Sequence, residues 1–407
     1  MVWLVACGSV TCSRSRQPAS DAEQDTLSPL RPVRVLIGSR LQRFRFRAEK
    51  PVSIGDDQRN TLGTCPAGEW LDVEATAPNE IRVGDNSFLA DRLELVPDGN
   101  IPILVSFVHE DGWSDDIAYP GRLHVSITQD QQIDLVNRVG VERYVACVVA
   151  REVWPTFETE AFRAQAIVVR TYVLYQMRHR QDQAYDVTAT QRSQVYQGIR
   201  SDETGRRAAQ AAKYTAGIVS TWRNQGEDQL FSAYYSAACG GASQSAAIFG
   251  PDNDIPPLQG GVRCDYCKIA TSGTYRWGPV RLSLDEVFTR LIARYPEIES
   301  LGGIAAIDVI ERTPHDRPLR LRIKGPNGSA HDLLAEHFRL AVGSMLIRST
   351  DFDIRISARE VIFDNGRGFG HGLGLCQWGM QGQARIGKRA GEILRYYYPG
   401  CRLTRVY

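Results

Sequence analysis

The sequence has no long apolar run and no marked excess of one charge. No stretch of about eighteen consecutive apolar residues occurs among its 407 residues, so no transmembrane helix is predicted. Its 48 Lys and Arg residues nearly balance 47 Asp and Glu residues, giving a net charge of +1. This balance provides no general electrostatic attraction to nucleic acid or to an acidic membrane. The apolar share of 43% is that of an ordinary globular protein.

Several common catalytic and nucleotide-binding signatures are also absent. The sequence contains neither G-x-S-x-G nor H-E-x-x-H, so no local signature assembles a Ser–His–Asp triad. The glycine-rich segment Gly366–Gly382 has no G-x-G-x-x-G in any register. Nearby, Gly382–Lys388 is followed by Arg389, where a P-loop needs Ser or Thr. We therefore predict no nucleotide site.

What the glycine-rich segment does contain is a period of two. Glycine occupies every second position from Gly366 to Gly374, with Arg367, Phe369, His371 and Leu373 between them. A period of two is typical of a strand, one face of which would here be bare backbone. Such a face permits close approach by a ligand or by another strand, and the spacing leaves both open.

The first residues read as an apolar start followed by a tether. Leu4-Val5-Ala6-Cys7 matches the pattern at which bacterial lipoproteins are lipidated on cysteine, although the preceding segment is short for a signal peptide. Lipidation at Cys7 and a stray apolar start both remain open. The nine cysteines, an odd number, are compatible with one lipidated cysteine and eight others. We assign residues 1–32 to a signal remnant and tether.

The predicted fold class is α+β. Short alternating runs separated by Gly, Pro, Asn and Asp predict a β-rich N-terminal region over residues 33–118. Residues 119–407 read as a mixed α/β catalytic domain with a glycine-rich strand, and residues 282–360 as a possible inserted subdomain. The clearest helix is Glu158–Arg180, whose apolar residues recur at helical spacing.

Glu152 is the first candidate for chemistry. It lies in Val148-Val-Ala-Arg-Glu-Val-Trp-Pro155, which we expect to be the end of an apolar strand just before a helix start. An apolar wall that includes Trp154 raises a carboxyl pKa and provides a general acid near neutral pH. A nearby helix N-terminus would favour the anion instead. A capping role for Glu152 is the competing interpretation.

Other candidate residues are polar groups within apolar segments. Arg170 interrupts the apolar face of the long helix, so it is either half of a structural ion pair or a cation that orients substrate. His371, Gln377 and Trp378 offer imidazole, amide and indole groups suited to a saccharide, although a lone histidine is more often a structural residue. The other candidate substrate-binding residues are amides and phenols along the chain: Tyr172, Gln194, Tyr196 and Tyr235.

Cys239 and the C-x-x-C pair Cys264 and Cys267 supply three ligands of a zinc site that lacks its fourth. The alternative is a disulfide or reduced cysteines. We expect a structural metal rather than a catalytic one.

Four blocks of sequence follow one another in a recognisable order. They are Val141-Glu-Arg-Tyr-Val145 through Pro155, Glu160–Tyr172, Tyr234–Gly241 with Cys264–Cys267, and Gly366–Gly379 closing on Ile393–Gly400. Together they resemble the stage II sporulation protein D family, also called the SpoIID/LytB type, over roughly residues 120–407.

The resemblance implies an extracytoplasmic peptidoglycan lytic transglycosylase. It implies Glu152 as the catalytic acid and Arg170 as a residue associated with activity. Such an enzyme cuts the MurNAc–GlcNAc bond and leaves 1,6-anhydro-MurNAc ends, with one carboxylate serving as acid and then as base. An alternative that the resemblance also implies is a non-catalytic, glycan-binding enhancer of a cell-wall amidase. A role in sporulation does not follow, because the domain is wider than spore formers.

Two departures concern the cysteines. Family members often have a His three residues before Cys239, which completes a His-Cys-Cys-Cys zinc site, and Ser236 stands there in this chain. The zinc expectation is weakened by that change. The family's Ser before Gln377-Trp378 is Cys376 here. No cofactor is needed for the implied chemistry.

Overall fold

The computed structural model describes residues 30–58, 60–109, 112–270, 274–357 and 359–407. The predictions for Cys7 and for the tether up to residue 29 lie outside these residues. The structure is 27% helix and 36% strand. It confirms the predicted α+β class and the β-rich N-terminal region. No helix in these ranges is both long enough and apolar enough to cross a bilayer.

The first part of the described chain is a succession of strands. They are β1 (Val33–Leu41), β2 (Arg43–Arg47), β3 (Val52–Gly55), β4 (Thr61–Cys65), β5 (Leu71–Ala77), β6 (Glu80–Val83), β7 (Asn86–Phe88), β8 (Arg92–Pro97), β9 (Ile103–His109), β10 (Gly112–Trp113), β11 (Ile117–Tyr119), β12 (Arg122–Ile127) and β13 (Ile133–Val139), with β14 (Val187–Thr188) further along the chain.

These strands form two sheets over one core. One sheet has the order β14-β1-β13-β12-β8-β3-β4, and the other has the order β10-β9-β2-β5-β6-β7, with β11 also on β9. Strand β2 shows how sequence sets the faces. Phe44 and Phe46 are buried, while Arg43, Arg45 and Arg47 alternate on the other face. The core under both sheets continues into the helices that follow.

The helices α1 (Val141–Glu152), α2 (Thr159–His179) and α3 (Glu203–Tyr214) pack against one another. Helix α2 agrees with the helix predicted over 158–180, and Asp202 caps α3 by accepting a bond from Gly205 N. The sequence prediction was wrong for α1, where an apolar strand was expected. Residues 141–150 are buried on every side, and a fully buried helix has no polar face to reveal its period.

Three strands follow α3: β15 (Ile218–Asn224), β16 (Glu227–Leu230) and β17 (Tyr235–Ser236). Residues 277–363 then enclose a second hydrophobic core. Around it lie β18 (Arg276–Trp277), β19 (Val280–Ser283), α4 (Leu284–Ile292), β20 (Ala306–Arg312), β21 (Pro318–Lys324), β22 (Ala330–Leu334), α5 (Ala335–Val342), β23 (Asp353–Ser357) and β24 (Glu360–Asp364).

The last elements return the chain to the first core. They are β25 (Gly366–Arg367), β26 (Leu375–Cys376), α6 (Gln377–Arg385), α7 (Ala390–Tyr397) and β27 (Cys401–Arg405). Strand β26 runs parallel to β17, with Ser236 opposite Cys376, and β27 pairs antiparallel with β15.

The glycine-rich segment is not one continuous strand. Between β25 and β26 the glycines at 368, 370, 372 and 374 all have positive φ, from 61° to 98°, so the backbone turns at each of them. The glycines of this segment, which have no side chain, face other parts of the chain. A Cβ on Gly374 would lie 2.1 Å from the carbonyl oxygen of Tyr234, and one on Gly368 would lie 2.6 Å from that of Ala238. The segment therefore packs tightly along residues 234–238.

Candidate functional site

Glu152 is the last residue of α1, and this placement differs from the predicted one. Its nearest helix end is the C-terminal end of its own helix, whereas α2 begins only at Thr159. The carbonyl groups at a helix C-terminus disfavour an anion. The two electrostatic influences that were expected to oppose each other, burial and the helix end, therefore act in the same direction.

The Glu152 carboxyl group has three polar neighbours. The backbone N–H of Val195 donates to Oε1 at 2.9 Å. Burial raises the pKa of Glu152 above its ordinary value, while the Val195 N–H and the nearby side chains of Tyr235 and Gln377 act to lower it. No second carboxylate is among the groups that shift this pKa in the part of the chain that is described.

Gln377 joins two distant parts of the sequence. Its Nε2 donates to the backbone oxygen of Glu152 at 3.1 Å, across 225 residues, and lies 3.5 Å from Oε1 of Gln165. As the first residue of α6 it is placed by β26, directly before it. Of the predicted saccharide-binding residues, Gln377 and Tyr235 are the two that the structure brings onto Glu152.

A cluster of aromatic rings is formed by residues that closely follow Glu152 and Gln377 in the chain. Trp154, two residues after the acid, is 57% exposed, so it is not the enclosing wall that the sequence suggested. Its ring centroid lies 6.3 Å from that of Trp378, which packs edge-on against Phe157 at 5.0 Å. An exposed indole that is supported from beneath is a suitable platform for the apolar face of a sugar ring.

The other predicted saccharide-binding phenols and amides lie deeper. Tyr196 is 1% exposed, donates to Asn137 at 2.5 Å and stacks on Tyr144 at 5.2 Å. Gln194 accepts a bond from Tyr144 at 2.9 Å. Tyr172 is buried, with its ring 6.3 Å from that of Tyr234. They form the layer behind the acid rather than a surface that a sugar reaches directly.

His371 also lies one layer away from the acid. Its Nδ1 accepts a bond from Leu373 N at 3.0 Å, and its ring is near the rings of Tyr234 and Phe249 at 6.1 and 6.5 Å. Burial lowers its pKa to about 4, so the ring is neutral at neutral pH. Tyr235 connects the two residues, because its backbone contacts His371 and its side chain contacts Glu152.

Arg170 is the centre of a structural ion pair. It is 0% exposed, and its Nε and Nη2 bind both oxygens of Glu142 at 2.7 and 2.5 Å. The remaining donors reach the carbonyls of Ala166, Ala212 and Ile218 and the hydroxyl of Thr215. A guanidinium so enclosed has no donor to offer a substrate, which favours the ion-pair alternative over the substrate-orienting one.

The three predicted metal-ligating cysteines come together, and a fourth joins them. The sulfur atoms of Cys239, Cys264, Cys267 and Cys376 all lie within 4.8 Å of one another and are buried. Sequence reasoning missed Cys376 because it looked for the fourth ligand at position 236. The signal was present, since a cysteine stood in the glycine-rich segment where the family pattern has Ser.

The comparisons with known proteins agree with this architecture. Residues 129–222, which include α1, α2 and Glu152, match the family model described as "Stage II sporulation protein". An uncharacterized protein of Brachyspira hyodysenteriae is 31% identical over 299 residues, covering 73% of this chain and 75% of that protein. The chain belongs to the stage II sporulation protein D family.

Two further relatives carry descriptive names. Stage II sporulation protein D of Bacillus subtilis is 26% identical over 301 residues, which cover 70% of this chain and 80% of that protein. A protein of the same organism named "Amidase enhancer" is 33% identical over 66 residues, which are 16% of this chain and 9% of that protein.

Proposed function

We propose that the protein is a peptidoglycan lytic transglycosylase of the cell envelope, acting outside the cytoplasm. The observation that carries this proposal is the setting of Glu152. A single carboxyl group has its pKa raised by burial, accepts a bond from the Val195 N–H, has Tyr235 and Gln377 as neighbours, and precedes the exposed Trp154 by two residues in the chain. Membership of the family supports a role at the cell wall.

One carboxyl group is sufficient for this reaction. The protonated Glu152 donates its proton to the glycosidic oxygen as the bond between that oxygen and C1 of MurNAc breaks. The 6-hydroxyl of the same sugar then attacks C1 and gives its proton to the Glu152 carboxylate. A 1,6-anhydro ring forms, the proton is returned, and no water is consumed. A hydrolase would need a second carboxylate to act as nucleophile or to activate water.

Neighbouring groups have defined parts in that cycle. The Val195 N–H holds one carboxyl oxygen in place, and the Gln377 amide holds the Glu152 backbone, while the group changes charge. The Tyr235 phenol lies next to the carboxylate, and burial keeps its own pKa well above its usual value, so it stays protonated. Trp154 offers its exposed face to the glycan.

Incubation with purified peptidoglycan tests the proposal. We expect wild type to release products with 1,6-anhydro ends, detected by mass spectrometry, and Glu152→Gln to lose this activity by about a hundredfold or more. Glu158→Gln is a matched control, because Glu158 is an exposed carboxylate at the start of α2. Equal product from Glu152→Gln, or no anhydro product from wild type, would overturn the catalytic assignment.

A second function is favoured by one comparison. The relative named "Amidase enhancer" matches a short part of this chain, so glycan binding that stimulates a cell-wall amidase is the alternative. It predicts that wild type and Glu152→Gln bind glycan and stimulate an added amidase equally, with no anhydro product from either.

A further inference from the structure

Three separate segments bring four cysteine sulfurs together. Cys239 follows β17, Cys264 and Cys267 lie in the loop beyond it, and Cys376 ends β26. The sulfurs of Cys239 and Cys267 are 3.8 Å apart. That is the edge of a tetrahedron with metal–sulfur bonds of about 2.3 Å, whereas a disulfide needs about 2.05 Å. None of the seven cysteines in the described residues forms a disulfide.

The sulfur of Cys376 is arranged as an acceptor. It receives the backbone N–H of Cys239 at 3.2 Å and that of Gly379 at 3.3 Å. Because Cys376 is the N-cap of α6, the helix dipole also favours a thiolate there. Bonds of this kind orient and stabilise metal-bound thiolates. The hydroxyl of Tyr397 lies 3.1 Å from the sulfur of Cys264 and completes the outer layer.

The site also requires a glycine. A Cβ on Gly379 would lie 2.5 Å from the sulfur of Cys264 and 2.0 Å from the hydroxyl oxygen of Tyr397. Gly379 therefore leaves the space in which these sulfur and oxygen atoms approach the first turn of α6. The position is in the glycine-rich segment, and no local pattern connects that segment with the cysteine loop.

We propose that Cys239, Cys264, Cys267 and Cys376 bind one zinc ion, with Cys376 as the fourth ligand, and that the ion thereby positions Gln377 on Glu152. Four thiolates in tetrahedral arrangement suit zinc in a closed, structural site. Ser236 lies opposite Cys376 in the parallel pair β17–β26, and its hydroxyl has no hydrogen-bond partner among the described residues. The ligand set is thus completed from β26 rather than from β17.

The second half of the proposal follows from adjacency. Gln377 is the next residue after Cys376, and its Nε2 bonds to the Glu152 backbone at 3.1 Å. Trp378 N donates to Ala237 O at 3.0 Å, which ties the same turn to the segment leading to Cys239. A metal that fixes the sulfur of Cys376 therefore fixes the start of α6, from which Gln377 reaches the acid.

Cobalt substitution counts the thiolate ligands without relying on glycan cleavage. We expect purified full-length protein to hold one zinc per chain. In the Co²⁺-loaded form, Cys376→Ser should lose about a quarter of the sulfur-to-cobalt charge-transfer absorption, as one of four thiolates is removed. Zinc affinity should fall by at least roughly 10–100-fold, the loss that follows mutation of residues that only hydrogen-bond to a metal ligand. Cys401→Ser removes a buried cysteine outside the cluster and should change neither quantity.

Alkylation of the wild-type protein provides a measurement that needs no variant. With chelator present, we expect Cys239, Cys264, Cys267 and Cys376 to become reactive together. Mass spectrometry of the alkylated peptides measures their reactivity. A disulfide among these cysteines, a Cys376 that reacts at an unchanged rate, or an unchanged cobalt spectrum in Cys376→Ser would overturn the four-ligand site.

Hydrogen exchange tests the positioning role separately. Removal of zinc should speed amide exchange in a peptide covering residues 375–383, where Gly379 N–H is bonded to the Cys376 sulfur. A peptide covering β2 in the N-terminal sheets serves as the control and should not change. Loss of zinc with unchanged exchange at 375–383 would show that the ion does not hold the start of α6.

Discussion

At the scale of single residues, Glu152 combines two unfavourable surroundings for a negative charge. Partial burial raises the pKa of its carboxyl group, and the group lies at the C-terminal end of α1. Both favour the protonated form that a general acid needs. The Val195 N–H and the neighbouring side chains of Tyr235 and Gln377 oppose them in part and stabilise the carboxylate once the proton has been given away.

The raised pKa of Glu152 has a consequence for stability. A carboxyl group whose folded pKa exceeds its unfolded value of about 4.3 stabilises the fold fully below that pH, and the contribution is lost as pH rises through the folded pKa. We therefore expect Glu152→Gln to unfold at a higher temperature than wild type at pH 7, and the difference to vanish below about pH 4. Thermal unfolding of both proteins across this range measures it.

The control for that experiment is Glu158→Gln, which changes an exposed carboxylate and should melt with wild type at each pH. If Glu152→Gln were instead the less stable protein at neutral pH, the buried carboxylate would be the favoured form and the acid assignment would lose its physical basis.

Sequence alone selected some of these residues individually and predicted others only by residue type. Glu152 was selected because a carboxylate followed an apolar run, and this holds whether that run is strand or helix. The partner of Arg170 was expected to be a carboxylate, but nothing in the sequence distinguishes Glu142 from others. The fourth cysteine lies 137 residues from Cys239, so only the folded chain shows that they meet.

At the scale of elements, periodicity predicted α2 closely and misread both α1 and the glycine-rich segment. Helix α2 spans 21 residues and shows its period over several turns, whereas α1 is short and buried on all sides. The glycine spacing of two indicated a strand. The positive φ angles between β25 and β26 arise from packing against residues 234–238, which the local sequence does not contain.

The packing of the glycine-rich segment can be tested at Gly374. Its φ is +61°, and a Cβ would lie 2.1 Å from the Tyr234 carbonyl oxygen, so both the conformation and the space exclude a side chain. We expect Gly374→Ala to lower the free energy of unfolding by at least about 2 kcal/mol, as measured in urea.

Gly387→Ala is the matched control, because Gly387 has a φ of +84° and no atom lies within 4 Å of the place that a Cβ would occupy. It should lose only the conformational part, about 1 kcal/mol. Equal losses in the two variants would mean that close approach to Tyr234 is not what makes Gly374 necessary.

At the scale of the whole molecule, Arg317 links the two hydrophobic cores. It precedes β21 in the part of the chain that encloses the second core, is 2% exposed, and donates to the carbonyl oxygens of Cys239 and Ala242. Its Nε lies 3.6 Å from Asp351. The second core is thus attached beside the cysteine cluster.

We expect Arg317→Met to destabilise the protein by about 3 kcal/mol or more, because it leaves buried carbonyls unpaired and Asp351 with one cation fewer. Urea unfolding provides the measurement. Arg322→Met, on the same β21, removes an exposed pair with Asp332 and should have a much smaller effect. A similar midpoint of urea unfolding for the two variants would argue against Arg317 as the residue that links the two hydrophobic cores.

The pairing of Gln377 with the Glu152 backbone also has a consequence for the order of events in folding. The two residues are 225 positions apart, and β15 cannot complete its pairing until β27 is available. Contacts of such long range form late, because their loop-closure entropy must be overcome first. A nascent chain that ends before α6 contains the acid but lacks the amide that holds it. Under the proposed function, the capacity to cut glycan would therefore arise only after nearly the whole described chain has been synthesised, which limits premature cleavage by unfinished molecules.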